Sequence, residues 1–183
     1  MAYRLLIQQQ TFDGTTYTNV GNVVDTIDNY GVACQEFPFK VLPETKELPK
    51  RDWYDEDGED VYVPSDGMKF KAYDLEVKFI YSDIHAPSRA SGITKEKYMR
   101  DKIGAFIEFI CGRNTSGKPF LKIYDEYTKT GRRGVYVLSV DNELYFYNDV
   151  SIDAIAEFKV KFRVTDPVYE VSMTTSNNTI TLT

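Results

Sequence analysis

The chain has 183 residues, with 22 basic and 28 acidic side chains and a net charge of −6 at pH 7. This length is enough for one domain with its own hydrophobic core, without disulfides or structural metals. The acidic balance argues against a protein that wraps nucleic acid with a basic surface. No apolar stretch approaches the length of a membrane span, so a cytoplasmic protein without a membrane partner is expected.

Alternation of apolar and polar residues, the pattern of half-buried strands, dominates the chain. Strands are predicted, in chain order, at residues 3–9, 31–41, 61–63, 74–81, 119–127, 134–140, 143–148, 155–164, 168–173 and 179–182. The alternation is clearest in 74–81 and 155–164. Turns are predicted at 129–131 and at Asp141-Asn142, which makes a meander of three strands after residue 119, closed by the strand at 155.

A single helix is predicted at residues 95–110, KEKYMRDKIGAFIEFI. Thr94 can cap its first turn, and Gly112 can end it in the left-handed conformation. Apolar residues recur at helical spacing and predict one broad buried face: Met99, Ile103, Phe106 and Ile110, with Ala105, Ile107 and Phe109 beside them. The predicted fold is mainly β: a β-sandwich or partly open barrel of antiparallel strands with one flanking helix, in a single domain of residues 1–183.

A long acidic, proline-rich excursion at residues 37–67 interrupts the β pattern, and loops of this length usually carry function or assembly contacts. Its centre reads DWYDEDGED. Trp53 and Tyr54 suit an anchor into a neighbouring subunit, because aromatic side chains supply contact area at low entropy cost. The interface loop is therefore predicted at Trp53, Tyr54, Asp55, Asp57 and Asp60. A calcium site and a solvated hairpin with an Asp-Gly turn stay open as alternatives.

Charge is distributed unevenly along the chain. Acidic residues dominate 44–66, whereas basic residues dominate 94–133. Complementary segments favour head-to-tail contact between copies, with a basic interface predicted at Lys95, Arg100, Arg132 and Arg133. Pairing within one chain would use the same charges, and solvated charged faces are commoner than either arrangement.

Candidates for catalysis are few. His85 is the only histidine, and Cys34 and Cys111 are the only cysteines, each expected as a small buried hydrophobe. The sequence has no zinc-type cluster, phosphate-binding glycine loop or dinucleotide fingerprint. The protein is therefore predicted to be neither an enzyme nor a cofactor carrier.

The order of the elements resembles the tail-tube superfamily of phage proteins, with the distal tail and tail-tube subunits of long-tailed phages as the nearest likeness. The segments that carry it are the helix end GAFIEFICG, the strands LKIYDEY, GVYVLSV and ELYFYND, and the closing FKVKFRVTDPVYEV. The likeness covers residues 1 to 172 and consists of element patterns rather than an invariant signature. The excursion at 37–67 is larger than a minimal sandwich of this kind needs.

The resemblance implies a non-enzymatic structural subunit of a phage or prophage tail that assembles into rings, typically hexamers. Its partners would be its own copies and other tail proteins, with DNA only passing through the channel. Its locations would be the bacterial host cytoplasm during assembly and then the virion tail. The alternative from another class is a β-sandwich module that binds carbohydrate or calcium through Trp53, Tyr54 and the acidic loop.

Overall fold

The structure is a computed structural model that describes residues 3–41, 43–55, 57–84, 86–113, 119–141, 145–147 (backbone alone), 155–176 and 179–183. Its helices are α1 (Thr26–Tyr30) and α2 (Lys95–Ile110). Its strands are β1 (Leu5–Phe12), β2 (Tyr17–Asp25), β3 (Val32–Glu36), β4 (Lys50–Asp52), β5 (Glu59–Val61), β6 (Tyr73–Ser82), β7 (Phe120–Asp125), β8 (Thr130–Val140), β9 (Tyr145–Tyr147), β10 (Ile155–Val164), β11 (Met173–Ser176) and β12 (Thr179–Leu182).

One large antiparallel sheet forms the body of the molecule. Its strands lie in the order β2-β1-β7-β8-β10-β6-β3, and β9 also pairs with β10. β8 and β9 follow one another along the same edge of β10, since Val160 pairs with Val140 and Ile155 with Tyr147. The predicted pairing of sequential strands is confirmed for β7 with β8 and for β9 with β10. The predicted turn at Asp141-Asn142 lies partly outside the described residues, and the pairing of β8 with β9 that it implied is wrong, because both strands pair with β10.

The sheet curves until its β3 edge returns to the start of the chain. Tyr3 and Cys34 form an isolated bridge there, with backbone hydrogen bonds of 2.9 and 2.7 Å. A single bridged pair does not make a continuous strand pairing, so the sheet stays open rather than closing into a barrel. The predicted mainly β, sandwich-like fold with a flanking helix is confirmed.

α2 covers the concave face of this sheet. Its residues Met99, Ile103, Phe106 and Ile110 are buried, as predicted, and Phe106 contacts Phe79 with ring centroids 5.1 Å apart. The predicted ends of the helix are also confirmed: the Thr94 hydroxyl accepts from the Lys97 amide at 3.3 Å, and Gly112 has a φ of 64°. Ala105, predicted to broaden the buried face, is exposed, because it lies just beyond the apolar stripe.

A second, smaller core lies on the convex face, beneath the C-terminal hairpin of β11 and β12. The buried side chains there are Leu6, Tyr124, Val171 and Leu182. The strand predicted at 168–173 is wrong: the chain is irregular until Met173, and the Val171 amide donates instead to the Gly131 carbonyl at 3.2 Å. This hairpin gives the body its second layer.

Three elements were not predicted: β2, α1 and β4. β2 pairs with β1 at the edge of the sheet, and α1 follows it directly. The Asp25 carboxylate caps α1 by accepting from the amides of Ile27 and Asp28, and Gly31 ends it with a φ of 69°. None of the helices in the described part of the chain is long and apolar enough to span a membrane.

Candidate functional site

The acidic excursion folds into a two-stranded ribbon, here called the arm (residues 44–71). At its root the Lys71 amide donates to the Glu44 carbonyl at 2.7 Å, and further out the Tyr62 amide donates to the Pro49 carbonyl at 3.0 Å. β4 and β5 then pair in antiparallel register. Gly58, with a φ of 97°, lies in the turn between them, as expected of an Asp-Gly hairpin tip. The strand predicted at 61–63 is shifted to Glu59–Val61.

The arm exposes large apolar side chains. Tyr54 is 100% exposed, Tyr62 66% and Trp53 42%. Val61, Val63 and Met68 are exposed beside them. Several large apolar side chains left in water on one short ribbon favour an interaction surface, whereas single exposed apolar residues need no explanation. The arm is therefore the part of the described surface that most resembles a binding site.

The two faces of the arm differ. In the register of β4 and β5, Arg51 lies opposite Asp60 and Lys50 lies opposite Val61. Because side chains alternate between the two faces along each strand, these two pairs lie on opposite faces of the arm. The aromatic face carries Arg51, Trp53, Asp60 and Tyr62. The opposite face carries Lys50, Asp52, Glu59 and Val61.

Contacts on the aromatic face hold its side chains in place. The Arg51 guanidinium carbon lies 5.0 Å from the centre of the Trp53 ring, and the Trp53 indole Nε1 donates to the Asp60 carboxylate at 3.2 Å. On the opposite face, Lys50 and Glu59 form an ion pair at 2.9 Å. The indole is thus fixed between two charged neighbours while much of its surface remains in water.

The predicted acidic residues are all placed on the arm. Asp60 bonds to Trp53, whereas Asp55 and Asp57 are exposed at the tip without a partner among the described residues. Within the described ranges, no group of three His, Cys, Asp or Glu side chains is arranged to hold a metal ion. The described part of the tip therefore offers no preformed calcium site.

The predicted basic residues do not lie together. Lys95 pairs with Asp83 at 3.6 Å, and Arg133 donates to the Asp166 carboxylate at 2.7 Å while its guanidinium carbon stacks 3.5 Å from the Tyr169 ring centre. Arg100 is exposed on α2, and no carboxylate in the described part of the chain pairs with it. Of the predicted set, Arg100 is the residue that presents its charge most freely to a partner.

The structure corrects the prediction for Arg132. This side chain is only 2% exposed, so it cannot present its charge to a second molecule. Its guanidinium donates to the carbonyls of Gly131 at 3.1 Å, Lys40 at 3.3 Å and Tyr169 at 3.5 Å. The carboxylate of Glu170 lies 3.8 Å away and is itself exposed. Arg132 thus joins the segment before the arm to β8 and to the C-terminal segment.

The convex face of β6 and β10 carries a ladder of paired charges. Lys159 lies 3.0 Å from Glu76, Lys161 lies 3.0 Å from Asp74, and Lys78 lies 3.2 Å from Glu157. Arg163 also bonds to Asp74, and these hydrogen bonds from Arg163 and Lys161 hold the pKa of the Asp74 carboxyl below its usual range. This face therefore neutralises its own charges.

The two cysteines, the remaining described candidates for chemistry, are not activated. Cys34 is fully buried, and burial raises the pKa of its thiol to about 12. Cys111 is only half-buried, unlike the prediction, and burial raises the pKa of its thiol as well. Thiols act as nucleophiles when their pKa is lowered, so neither is poised for catalysis. His85 lies outside the described residues.

Sequence reasoning found the acidic tip and its aromatic residues but missed Arg51 and Tyr62, which complete the aromatic face. Their signal was the alternation of β4 and β5, which is too short to recognise among prolines and charges. Comparison of the chain with models of known protein families and with curated proteins gave no match.

Proposed function

We propose that the protein is a structural subunit of a phage or prophage tail, of the tail-tube or distal-tail type, that assembles into rings through contacts between its own copies. The observation that carries the proposal is the arm. It leaves aromatic surface in water beside a body that has its own hydrophobic core, and burial of such surface is the main driving force of association.

The body supports a structural role because its helix, its C-terminal hairpin and its paired charges all contribute to packing or to ion pairs within the fold. α2 fills the concave face, the C-terminal hairpin covers part of the convex face, and the charges of β6 and β10 pair with each other. Together with the resemblance in element order, these features favour a rigid building block that presents an arm. Hexameric rings and contacts with other tail proteins are the expected assembly, with DNA as passing cargo.

Concentration-dependent sedimentation combined with electron microscopy of the purified protein tests this proposal. We expect the sedimentation coefficient to rise with concentration, and rings or stacked rings to appear in images of concentrated protein. A monomer at every concentration, with a melting temperature that rises on addition of calcium or sugars, would contradict the proposal and favour the binding-module alternative.

A further inference from the structure

We propose that the C-terminal hairpin, described at residues 172–176 and 179–183, is a strap that opens from the convex face as a unit while the large sheet stays folded. Opening uncovers Leu6 and Tyr124 of the smaller core, together with Lys122 of β7. The inference concerns the body of the molecule, so it depends neither on the arm nor on the proposed tail function.

The hairpin makes its backbone hydrogen bonds within itself. β11 pairs only with β12, and the two strands form a sheet separate from the large one. Ser172 and Thr183 extend this pairing through two backbone hydrogen bonds of 3.0 and 2.9 Å. Because no described strand of the large sheet pairs with the hairpin, the hairpin can leave the convex face without breaking the hydrogen bonds of that sheet.

Few side chains attach the hairpin to the body. Leu182 is 1% exposed, whereas Met173 and Ile180, on the same face of the hairpin, are only half-buried. The other described side chains of the hairpin are all serines and threonines exposed to water: Ser172, Thr174, Thr175, Ser176, Thr179, Thr181 and Thr183. An isolated two-stranded hairpin is marginally stable, and elements with few buried apolar contacts open at the lowest free energy.

The hydrogen bond that joins the hairpin to the body comes from a buried cation. The Lys122 ammonium group donates to the Leu182 carbonyl at 3.0 Å, and Lys122 is only 6% exposed. No carboxylate of the described residues forms an ion pair with it. Burial and the nearby charge of Arg133 lower the pKa of Lys122, so the closed hairpin disfavours the charged form of this side chain. A buried charge without an opposite charge destabilises the state that buries it.

The neighbour of Lys122 on the same face is also incompletely bonded. Gln8 lies opposite Lys122 in the register of β1 and β7, and its side-chain oxygen is buried without a hydrogen-bond partner among the described residues. Leaving a buried polar atom unpaired is unfavourable, and contact with water removes this penalty. The closed hairpin therefore gains one buried leucine and two half-buried side chains, but it excludes water from a cation and an amide oxygen.

The helix that covers the other face of the sheet is attached far more firmly. Five side chains of α2 are buried against the concave face: Met99, Ile103, Phe106, Phe109 and Ile110. Leu182 is the counterpart of all five in the described part of the hairpin. This asymmetry between the two covers favours the hairpin as the element that opens while α2 and the sheet remain in place.

Native-state hydrogen exchange of the full chain tests the inference. We expect the amides bonded within the hairpin to exchange at least about tenfold faster than those of β1 and β7, and with little dependence on low concentrations of urea. Leu182→Ala should speed exchange in the hairpin by a further factor of about ten and leave β1 and β7 unchanged. Thr181→Ala, on the outer face of the same strand, is the matched control and should change exchange less than about twofold.

Replacing the buried cation tests its part in the opening. Lys122→Met should slow exchange in the hairpin by about threefold or more, because the closed state then buries no charge. Lys161→Met, which removes an exposed lysine paired with Asp74, should leave the hairpin unchanged. Hairpin amides that exchange only with global unfolding, a Leu182→Ala chain that loosens β1 and β7 equally, or faster exchange in Lys122→Met would overturn the inference. None of these outcomes bears on self-assembly through the arm.

Discussion

The guanidinium carbon of Arg132 lies 4.4 Å from the centre of the Phe39 ring, so a buried cation stacks on an aromatic residue just before the arm begins. The same guanidinium reaches the carbonyls of Lys40 and Tyr169. One side chain on β8 therefore holds together two segments far apart in sequence. The root of the arm and the C-terminal segment are positioned by the same contact.

Replacing Arg132 should destabilise the protein. Arg132→Met leaves the buried carbonyl of Gly131 and the partly buried carbonyls of Lys40 and Tyr169 without this donor, and we expect the free energy of unfolding to fall by about 1–3 kcal/mol. Arg132→Lys should lose less, because it keeps a charge but not the planar fork or the stacking. Urea unfolding followed by circular dichroism measures both. A methionine variant as stable as the wild type would show that the stack contributes nothing.

Removing the aromatic contact between α2 and the sheet should lower the free energy of unfolding by more than the loss of Arg132 does. Phe106 is fully buried and touches both Phe79 and Phe158, so Phe106→Ala is expected to lose about 3–5 kcal/mol. Ala105→Gln, one position away on the exposed side, should stay within about 0.5 kcal/mol of the wild type. The difference between the two variants in chemical denaturation measures what the packing of α2 contributes. Similar losses in both would contradict the placement of the helix.

Two glycines should respond to alanine in opposite directions. A Cβ at Gly104, inside α2, would meet no atom within 4 Å, and the substitution should stabilise the helix by about 0.5–1 kcal/mol. Gly31 has a φ of 69°, and a Cβ there would lie 2.7 Å from the Ala86 Cβ. Gly31→Ala should therefore lower the melting temperature, while Gly104→Ala raises it. Thermal unfolding measures both changes. A shift of the melting temperature in the same direction for both variants would refute this prediction.

Ionisation of the Cys34 thiol should lower the free energy of unfolding at alkaline pH. Burial raises the pKa of its thiol from 9.0 to about 12, so the folded protein holds this proton more tightly than the unfolded chain does. Its contribution to the free energy of unfolding is complete below pH 9 and is lost as the pH rises through 12.

Unfolding titrations of the wild type and of Cys34→Ala measure this contribution. The stability of the wild type should fall more steeply above pH 9 than that of the variant, whereas the two curves should be parallel at lower pH. Parallel curves throughout would mean that the thiol ionises as readily in the folded protein as in the unfolded chain. In the native wild type, a thiol reagent should label the half-buried Cys111 well before Cys34.

The elements that sequence reasoning found are those in which apolar residues recur with a clear helical or strand period. α2 and β10 place apolar residues on one side with few exceptions, and their bounds match the structure. β2 was missed because Asn19, Gly21 and Asn22 interrupt the alternation of apolar and polar residues. An edge strand with few buried residues also needs little of this alternation. α1 is only five residues long, too short for helical periodicity to register.

The candidate site was predicted in part for a similar reason. Trp53 and the acids of the tip stand out in composition, but the arm's two faces appear only when the pairing of β4 with β5 is known. Arg132 was misassigned because it was judged only by its place in the basic segment 94–133, which suggested an exposed charge. A strand that crosses between two covering segments can bury a cation, and neighbouring sequence does not reveal such tertiary contacts.

The most direct test of the account is to remove the arm and compare assembly by sedimentation velocity. Because the Lys71 amide and the Glu44 carbonyl are 2.7 Å apart, a short glycine-containing turn can replace the arm without separating the strands around it. We expect this chain to keep the circular dichroism and cooperative unfolding of the body and to remain monomeric at concentrations where we expect the full chain to form rings. Rings of the same size from the armless chain would contradict the account.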